Sequence, residues 1–236
     1  MTGLQVSYSF VRANIAPHAG PEGDEFLTWW GSEHQPEWVG LAGFRRGWLL
    51  ERIDGESGEL GLQPQRYAAV YEIDSAAAFN AALGLGQPWG PWQRFVDDWL
   101  VDWTRTYYDG ASSTEASTAS APFWATVSVD VDVAENDLRL FERWYDEQHI
   151  PELLQSPGLH RARRHRRSNA GGQLGALGTR YLTVYEIDHP NDFAAARDAR
   201  RDRGIMPWSP WHEHVRNFAV SFFAVRQHTD PEGTKA

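Results

Sequence analysis

The chain has 236 residues, enough for two small units sharing a core or one larger domain, and its 42% hydrophobic and 23% charged residues are ordinary for a soluble globular protein. A formal net charge of −10 argues against nucleic acid or an anionic membrane as partner, and no apolar run is long enough to cross a bilayer. The absence of cysteine excludes disulfides, thiolate catalysis and cysteine-held metals. The segment from Met1 to Val6 lacks the basic start and apolar stretch of a secretion signal, so a cytoplasmic location is expected.

Residues from Gln5 to Arg12 alternate, with Val6, Tyr8 and Phe10 on one side, and predict a strand. A tryptophan-rich helix follows and is expected to end or kink at Pro36. Gly43 opens a second strand, and Arg66 to Ile73 forms a third. An Ala-rich helix spans Ser75 to Leu83, and a short helix after Pro91 leads into a last strand at 99–108. Small polar residues at 109–121 read as a flexible linker. The order then starts again. A strand at Phe123 to Val131 precedes a helix with the stripe Leu138, Phe141 and Tyr145, capped by Asn136 or Asp137 and broken at Pro151. Gly158, the strand Arg180 to Ile187, a helix at Asn191 to Ala199, a short helix after Pro210 and a strand at 218–227 complete it. Asn169 to Gly178 reads as a mobile hairpin loop and 229–236 as a disordered tail.

The two halves share motifs in the same order. Phe26-Leu27-Thr28-Trp29-Trp30-Gly31-Ser32-Glu33-His34-Gln35-Pro36-Glu37 returns as Phe141-Glu142-Arg143-Trp144-Tyr145-Asp146-Glu147-Gln148-His149-Ile150-Pro151-Glu152. Arg66-Tyr67 to Ile73 returns as Arg180-Tyr181 to Ile187, and Pro88-Trp89-Gly90-Pro91-Trp92 as Pro207-Trp208-Ser209-Pro210-Trp211. Three blocks in one order point to a repeat, 1–108 and 122–228. Each repeat suggests β-α-β-β-α-β, whose sheet has one bare face that must be covered. The predicted fold is therefore α+β: two fused ferredoxin-like repeats closing one intrachain α/β barrel around a cavity.

The tryptophan-rich helix ending in His-x-Pro-Glu and the later Arg-Tyr strand resemble the dimeric α/β-barrel superfamily, most of all its EthD-like branch. The resemblance implies a barrel closed within one chain, as a monomer or homodimer. It implies chemistry drawn from aromatic polyketide cyclases, lactone isomerases, cofactor-free monooxygenases or haem enzymes built of tandem copies.

His34 and His149 are the candidate acid/base residues. Glu37 and Glu152, one helical turn on, are expected to pair with them and favour imidazolium. The alternative is that both histidines only fix the helix bend. Tyr67, Tyr71, Tyr181 and Tyr185 share strand faces by period two, and as cavity walls they would donate hydrogen bonds to a substrate oxygen. On the second strands Arg46, Trp48, Leu50 and Arg52 align with Arg161, Arg163, His165 and Arg167. If that face turns inward, Arg163 and His165 form a cationic wall opposite Trp48 that orients a flat anionic ligand. His212-Glu213-His214 has poor geometry for a metal on a helix, so no metal site is expected.

The leading expectation is a cofactor-independent acid/base enzyme, a cyclase, isomerase or lyase, acting on a small aromatic or polyketide-like metabolite in the barrel. A cofactor-free monooxygenase on a phenol is an alternative. So are a haem protein, with His149, His165 or His214 as axial ligand, and a non-catalytic small-molecule binder.

Overall fold

Eight alternating segments become eight strands. The first repeat supplies β1 (Ser7–Ile15), β2 (Phe44–Ile53), β3 (Tyr67–Ile73) and β4 (Leu100–Glu115). The second supplies β5 (Phe123–Val131), β6 (Leu159–Arg167), β7 (Tyr181–Ile187) and β8 (Val215–Thr229). The computed structural model describes residues 6–56, 59–61, 65–86, 89–93, 95–117, 121–205 and 208–230. In it the strands close a barrel in the order β1-β3-β2-β8-β5-β7-β6-β4. Each half has its fourth strand beside its first and its third beside its second, all antiparallel. The halves join where β2 meets β8 and where β4 meets β6. The α+β barrel of two β-α-β-β-α-β units is thus observed.

Seven helices accompany them among the described residues: α1 (Gly20–Trp29), α2 (Gln35–Val39), α3 (Ala76–Gly84), α4 (Val96–Trp99), α5 (Glu135–Trp144), α6 (Ile150–Leu153) and α7 (Pro190–Asp202). Apolar residues on each half's outer sheet face pack under the helices as two separate cores. A third core fills the barrel: Phe10, Trp48, Leu50, Trp124, Val184 and Phe223 are among its members. Trp48 and Trp124 meet at 5.3 Å between ring centroids, and Phe10 meets Tyr108 edge-on at 5.5 Å. The expected central cavity is corrected accordingly. Two indoles and several phenyl-sized rings close the middle of so narrow a barrel.

Pro36 and Pro151 do not end their helices. Each sits just past a five-residue π-helical segment, Trp30–His34 or Tyr145–His149, and the helix runs on as α2 or α6. The backbone N–H groups of Gln35 and Ile150 reach back five residues, to the carbonyls of Trp30 and Tyr145. The wider turn makes room for a ring that an α-helical register rejects.

Other local readings are also corrected. Neither Asn136 nor Asp137 caps α5, because Ala134 holds the N-cap position with no side-chain bond. Turns, not a helix, follow Pro210. The supposed linker begins as strand: Asp109 to Glu115 pairs with Arg166 to Arg161 of β6, and 118–120 lie outside the described residues. Thr229 belongs to β8, and 231–236 lie outside the described residues. The loop at 169–178 is docked on the first half, where Leu174 and Arg105 exchange backbone hydrogen bonds at 3.0 Å and Asn80 donates to the Gly171 carbonyl at 2.9 Å.

The join between halves carries a buried ion pair. Arg164, 3% exposed, donates from Nε and Nη2 to both oxygens of Asp146 at 2.7 Å, and Ser112 of β4 donates to the same carboxylate at 2.6 Å. Asp146→Ala leaves the guanidinium only the more distant Glu142 carboxylate at 3.8 Å and should cost about 3 kcal/mol in urea denaturation; a loss under about 1 kcal/mol would mark the pair as solvated.

Candidate functional site

His34 and His149 close the two π-helical segments and press against the outer sheet face, 3% and 9% exposed. Aromatic rings wall each of them. Trp29 and Trp89 stack on His34 at 5.0 and 4.6 Å. Trp208 stacks on His149 at 5.3 Å, with Trp144 at 4.9 Å and Tyr145 at 4.8 Å. Burial lowers the His34 imidazole to about 4. Burial, and then the Arg200 charge, lower His149 to about 3. Both are neutral near pH 7, and neither Nδ1 has a hydrogen-bond partner.

The expected histidine–glutamate pairs are absent among the described residues. Glu37 is exposed. Glu152 forms an ion pair with Arg200 of α7 at 2.7 Å and accepts from Gln148 at 3.2 Å. A guanidinium offers the carboxylate a full charge, whereas an imidazole buried among indoles offers none. Arg200 also donates to the His149 carbonyl at 3.3 Å, which ties α7 to the π-helical segment.

The same place in the two halves has different contents. In the second half, His149, Leu153, Tyr185, Phe193, Trp208 and Phe218 line a cavity of about 140 Å³ between α7 and the sheet. In the first half, His34, Trp38, Tyr71, Phe79, Trp89 and Trp103 surround only about 40 Å³. Trp38 stands where the second repeat has Leu153, and Trp103 where it has Phe218. Arg105 fills the remainder, its Nε and Nη2 donating to the Gly172 carbonyl at 2.8 and 2.6 Å with its guanidinium 5.6 Å above Phe79. The first half seals one edge of the open cavity, because Leu60 exchanges backbone hydrogen bonds with Val220 at 3.1 and 2.7 Å.

The four tyrosines do not meet. Tyr71 and Tyr185 face the helices of separate halves, one at each cavity. Tyr181 donates to Glu142 at 2.9 Å, and Tyr67 lies at a surface recess with Asp24 and Arg226. Their expected place in a shared barrel cavity is corrected: this strand face packs under the helices. Burial pushes Tyr71 above the usual phenol range, and Tyr185 well above it.

Trp48, Arg163 and His165 do turn inward. Trp48 lies in the barrel core, stacked on His228 at 5.2 Å. Arg163 pairs with Glu186 at 2.6 Å. His165 is 2% exposed, lies 4.4 Å from the Tyr8 ring, and is lowered to about 3 by burial and then by Arg163 and Arg164. Arg163 and His165 border a polar recess of about 960 Å³ at one barrel mouth, shared with Tyr8, Arg46 and Glu72. Because Glu186 already engages Arg163, the cationic wall is partly neutralised. Among the described residues no cluster of three metal-binding side chains exists, and the His214 ring lies 3.0 Å from the Asp132 carbonyl.

No protein family and no curated protein matches the sequence. Solved structures do match. An anthrone oxidase-like protein aligns with a TM-score of 0.65 at 10% identity, over 100% of this chain and 96% of that one. A Fusobacterium nucleatum protein described as a monooxygenase aligns at 0.64 and 7%, over 100% and 99%. Chlorite dismutase from Candidatus Nitrospira defluvii aligns at 0.55 and 9%, over 93% and 91%. This chain shares their ferredoxin-like barrel fold.

The names these neighbours carry are those of oxidoreductases, which overturns the expected cofactor-independent cyclase, isomerase or lyase. The site agrees, because an imidazole lowered to about 3 and lacking its glutamate is a poor proton shuttle near neutral pH. Haem, which the sequence resemblance implies for some relatives, does not fit beside His149. A cavity of about 140 Å³ suits a single aromatic ring, and a porphyrin is several times larger. The unpartnered Nδ1 also lacks the carboxylate or carbonyl that orients an axial histidine.

The open cavity itself was not predicted. Its signal was in the repeat, where Leu153 replaces a tryptophan and Phe218 an indole one ring larger.

Proposed function

We propose that the chain is an oxidoreductase for a single-ring aromatic compound bound in the second-half cavity, with dioxygen as electron acceptor: a hydroquinone gives two electrons and two protons to dioxygen and leaves as the quinone with hydrogen peroxide, and a phenol takes up one oxygen atom and leaves as the quinone while the other oxygen departs as water. The observation that carries this reading is the contrast between the halves: one histidine pocket is open by about 140 Å³, and its counterpart is plugged by indoles and a guanidinium. Phe193 and Trp208 supply flat apolar walls, His149 and Tyr185 are the ring-bearing polar groups of the same lining, and Arg197, Asp198, Arg200 and Arg201 border it from α7. The shared fold with an oxidase-like protein and a monooxygenase supports the oxidoreductase class. A volume of this size accommodates one aromatic ring.

His149 acts as a neutral hydrogen-bonding group that orients the substrate hydroxyl. It is not the base, since its depressed basicity gives no driving force for proton removal. Burial of the ring against Trp208 and Phe193 supplies the binding energy, about 25 cal/mol per Å² of apolar surface. The recurring helix-end motif at His34 and His149 supports descent by tandem duplication within the EthD-like branch, with repeats at 1–108 and 122–228. One repeat keeps the pocket and the other became scaffold.

The test is oxygen uptake with a panel of single-ring phenols and hydroquinones. Uptake is expected with at least one, it should fall by about tenfold or more in His149→Phe, and it should show no inflection near pH 6.5. Saturable binding of none of the panel, with no oxygen consumed, would end this reading. Haemin added to the protein should produce no shifted Soret band.

A further inference from the structure

The barrel has a second mouth, opposite the one bordered by Arg163, and a cavity of about 380 Å³ opens there. Arg12 of β1, Thr104 and Tyr108 of β4, and Ser128 of β5 line it from inside the barrel. Gln65 and Thr179 close it from the loops before β3 and β7, and Phe218 and Leu177 give it an apolar side. Among the described residues no aspartate or glutamate borders it.

Arg12 is the unusual member. It is 8% exposed, and its guanidinium carbon lies 5.1 Å above the Phe10 ring, in the barrel core. Among the described residues no ion pair includes it, whereas of the other three buried arginines Arg164 has Asp146, Arg200 has Glu152 and Arg105 has the Gly172 carbonyl. Arg12 shares a side-chain hydrogen bond with the neutral Tyr108 phenol, which burial raises while the Arg12 charge and that bond pull the other way. In a chain with ten more acidic than basic groups, an arginine buried without a counter-charge is a departure that invites a reason. Holding a guanidinium out of water without an anion is costly, and the cavity in front of it is polar, roomy and free of acids.

We infer that this mouth binds a small organic carboxylate. Arg12 would hold the carboxylate through its two-pronged donor face, and the Thr104, Ser128 and Thr179 hydroxyls and the Gln65 amide are the neighbouring polar groups. The ligand's apolar body lies against Phe218, Leu177 and Ala219. The site is distinct from the cavity beside His149, although Phe218 borders both. It does not depend on the oxidoreductase reading.

The test uses the full chain with benzoate and with benzamide, which has the same body without the charge. Calorimetry should show saturable benzoate binding at millimolar or lower concentration, at least about tenfold weaker benzamide binding, and loss of benzoate binding in Arg12→Met. Arg12→Met should also melt no lower than the parent without ligand, because it removes an unpaired buried charge. Equal binding of benzoate and benzamide, or no benzoate binding together with a clearly destabilised Arg12→Met, overturns the proposal: the arginine then serves the fold alone. Oxygen uptake by Arg12→Met reads the other site separately.

Discussion

Acidification from about pH 7.5 to about pH 5 should strip the protein of much of its stability, well before its carboxylates titrate in bulk. His34, His149 and His165 are 3%, 9% and 2% exposed and are lowered to about 4, about 3 and about 3, with burial the first cause each time. Each folded-state value lies below the unfolded value of about 6.5. The unfolded chain therefore takes up protons that the folded chain refuses. The stabilising contribution is complete above about pH 6.5 and shrinks by about 1.4 kcal/mol per histidine for every unit below it. It is exhausted near pH 4 for His34 and near pH 3 for the other two. Three such groups remove roughly 6 kcal/mol by about pH 5, which rivals the whole net stability of many domains. Urea midpoints at several pH values measure the effect. His149→Phe should remove about one third of the slope, whatever it does to the midpoint itself. Equal stability at both pH values would contradict the burial of neutral rings. A rise in stability on acidification would restore the histidine–glutamate pairs that the helix spacing suggests.

Exchanging the residues that distinguish the two pockets should exchange their properties. Leu153, 3% exposed, lines the open cavity, whereas Trp38, 5% exposed, stacks on Phe79 at 5.0 Å and fills its counterpart. Leu153→Trp puts an indole where a single-ring ligand is proposed to lie. Binding should weaken by about 100-fold or more, a change of about 2.7 kcal/mol, with overpacking costing about 1–3 kcal/mol of stability. Trp38→Leu works in the opposite sense. It removes packed atoms beside His34 and should cost about 2–4 kcal/mol, and the space it leaves should admit a small aromatic to the first half. Calorimetric titration of both variants with one phenol settles the matter. Unchanged affinity in Leu153→Trp contradicts the assignment of the cavity.

The succession of strands and helices in the two halves could be read because alternation, the Gly43 and Gly158 turns and the paired motifs agree with one another. Gly43 and Gly158 sit at φ of +87° and +78° just before β2 and β6, where a side chain is strained. The inward face could not be read. In β3 and β7 both faces are buried, so period two gives two sets without saying which meets the helices. That ambiguity misplaced Tyr67, Tyr71, Tyr181 and Tyr185. The second half of β4 looked like a linker because Gly110 to Thr114 has the composition of a loop, and only pairing with β6 makes it strand. Pro36 and Pro151 signalled a break, but a π-helical segment absorbs the ring. The pocket depends on differences between repeats, and these lay on α6 and β8 as well as on the second strands, where Arg163 and His165 stood out.

The account rests on the ligand sitting between helix and sheet in the second half, and not within the barrel. Anomalous diffraction from crystals soaked in 4-bromophenol tests this directly. The bromine should appear between Phe193, Trp208 and His149, with the first-half pocket empty. A bromine among Trp48, Trp124 and Phe223, or none beside His149 at saturating ligand, would contradict it.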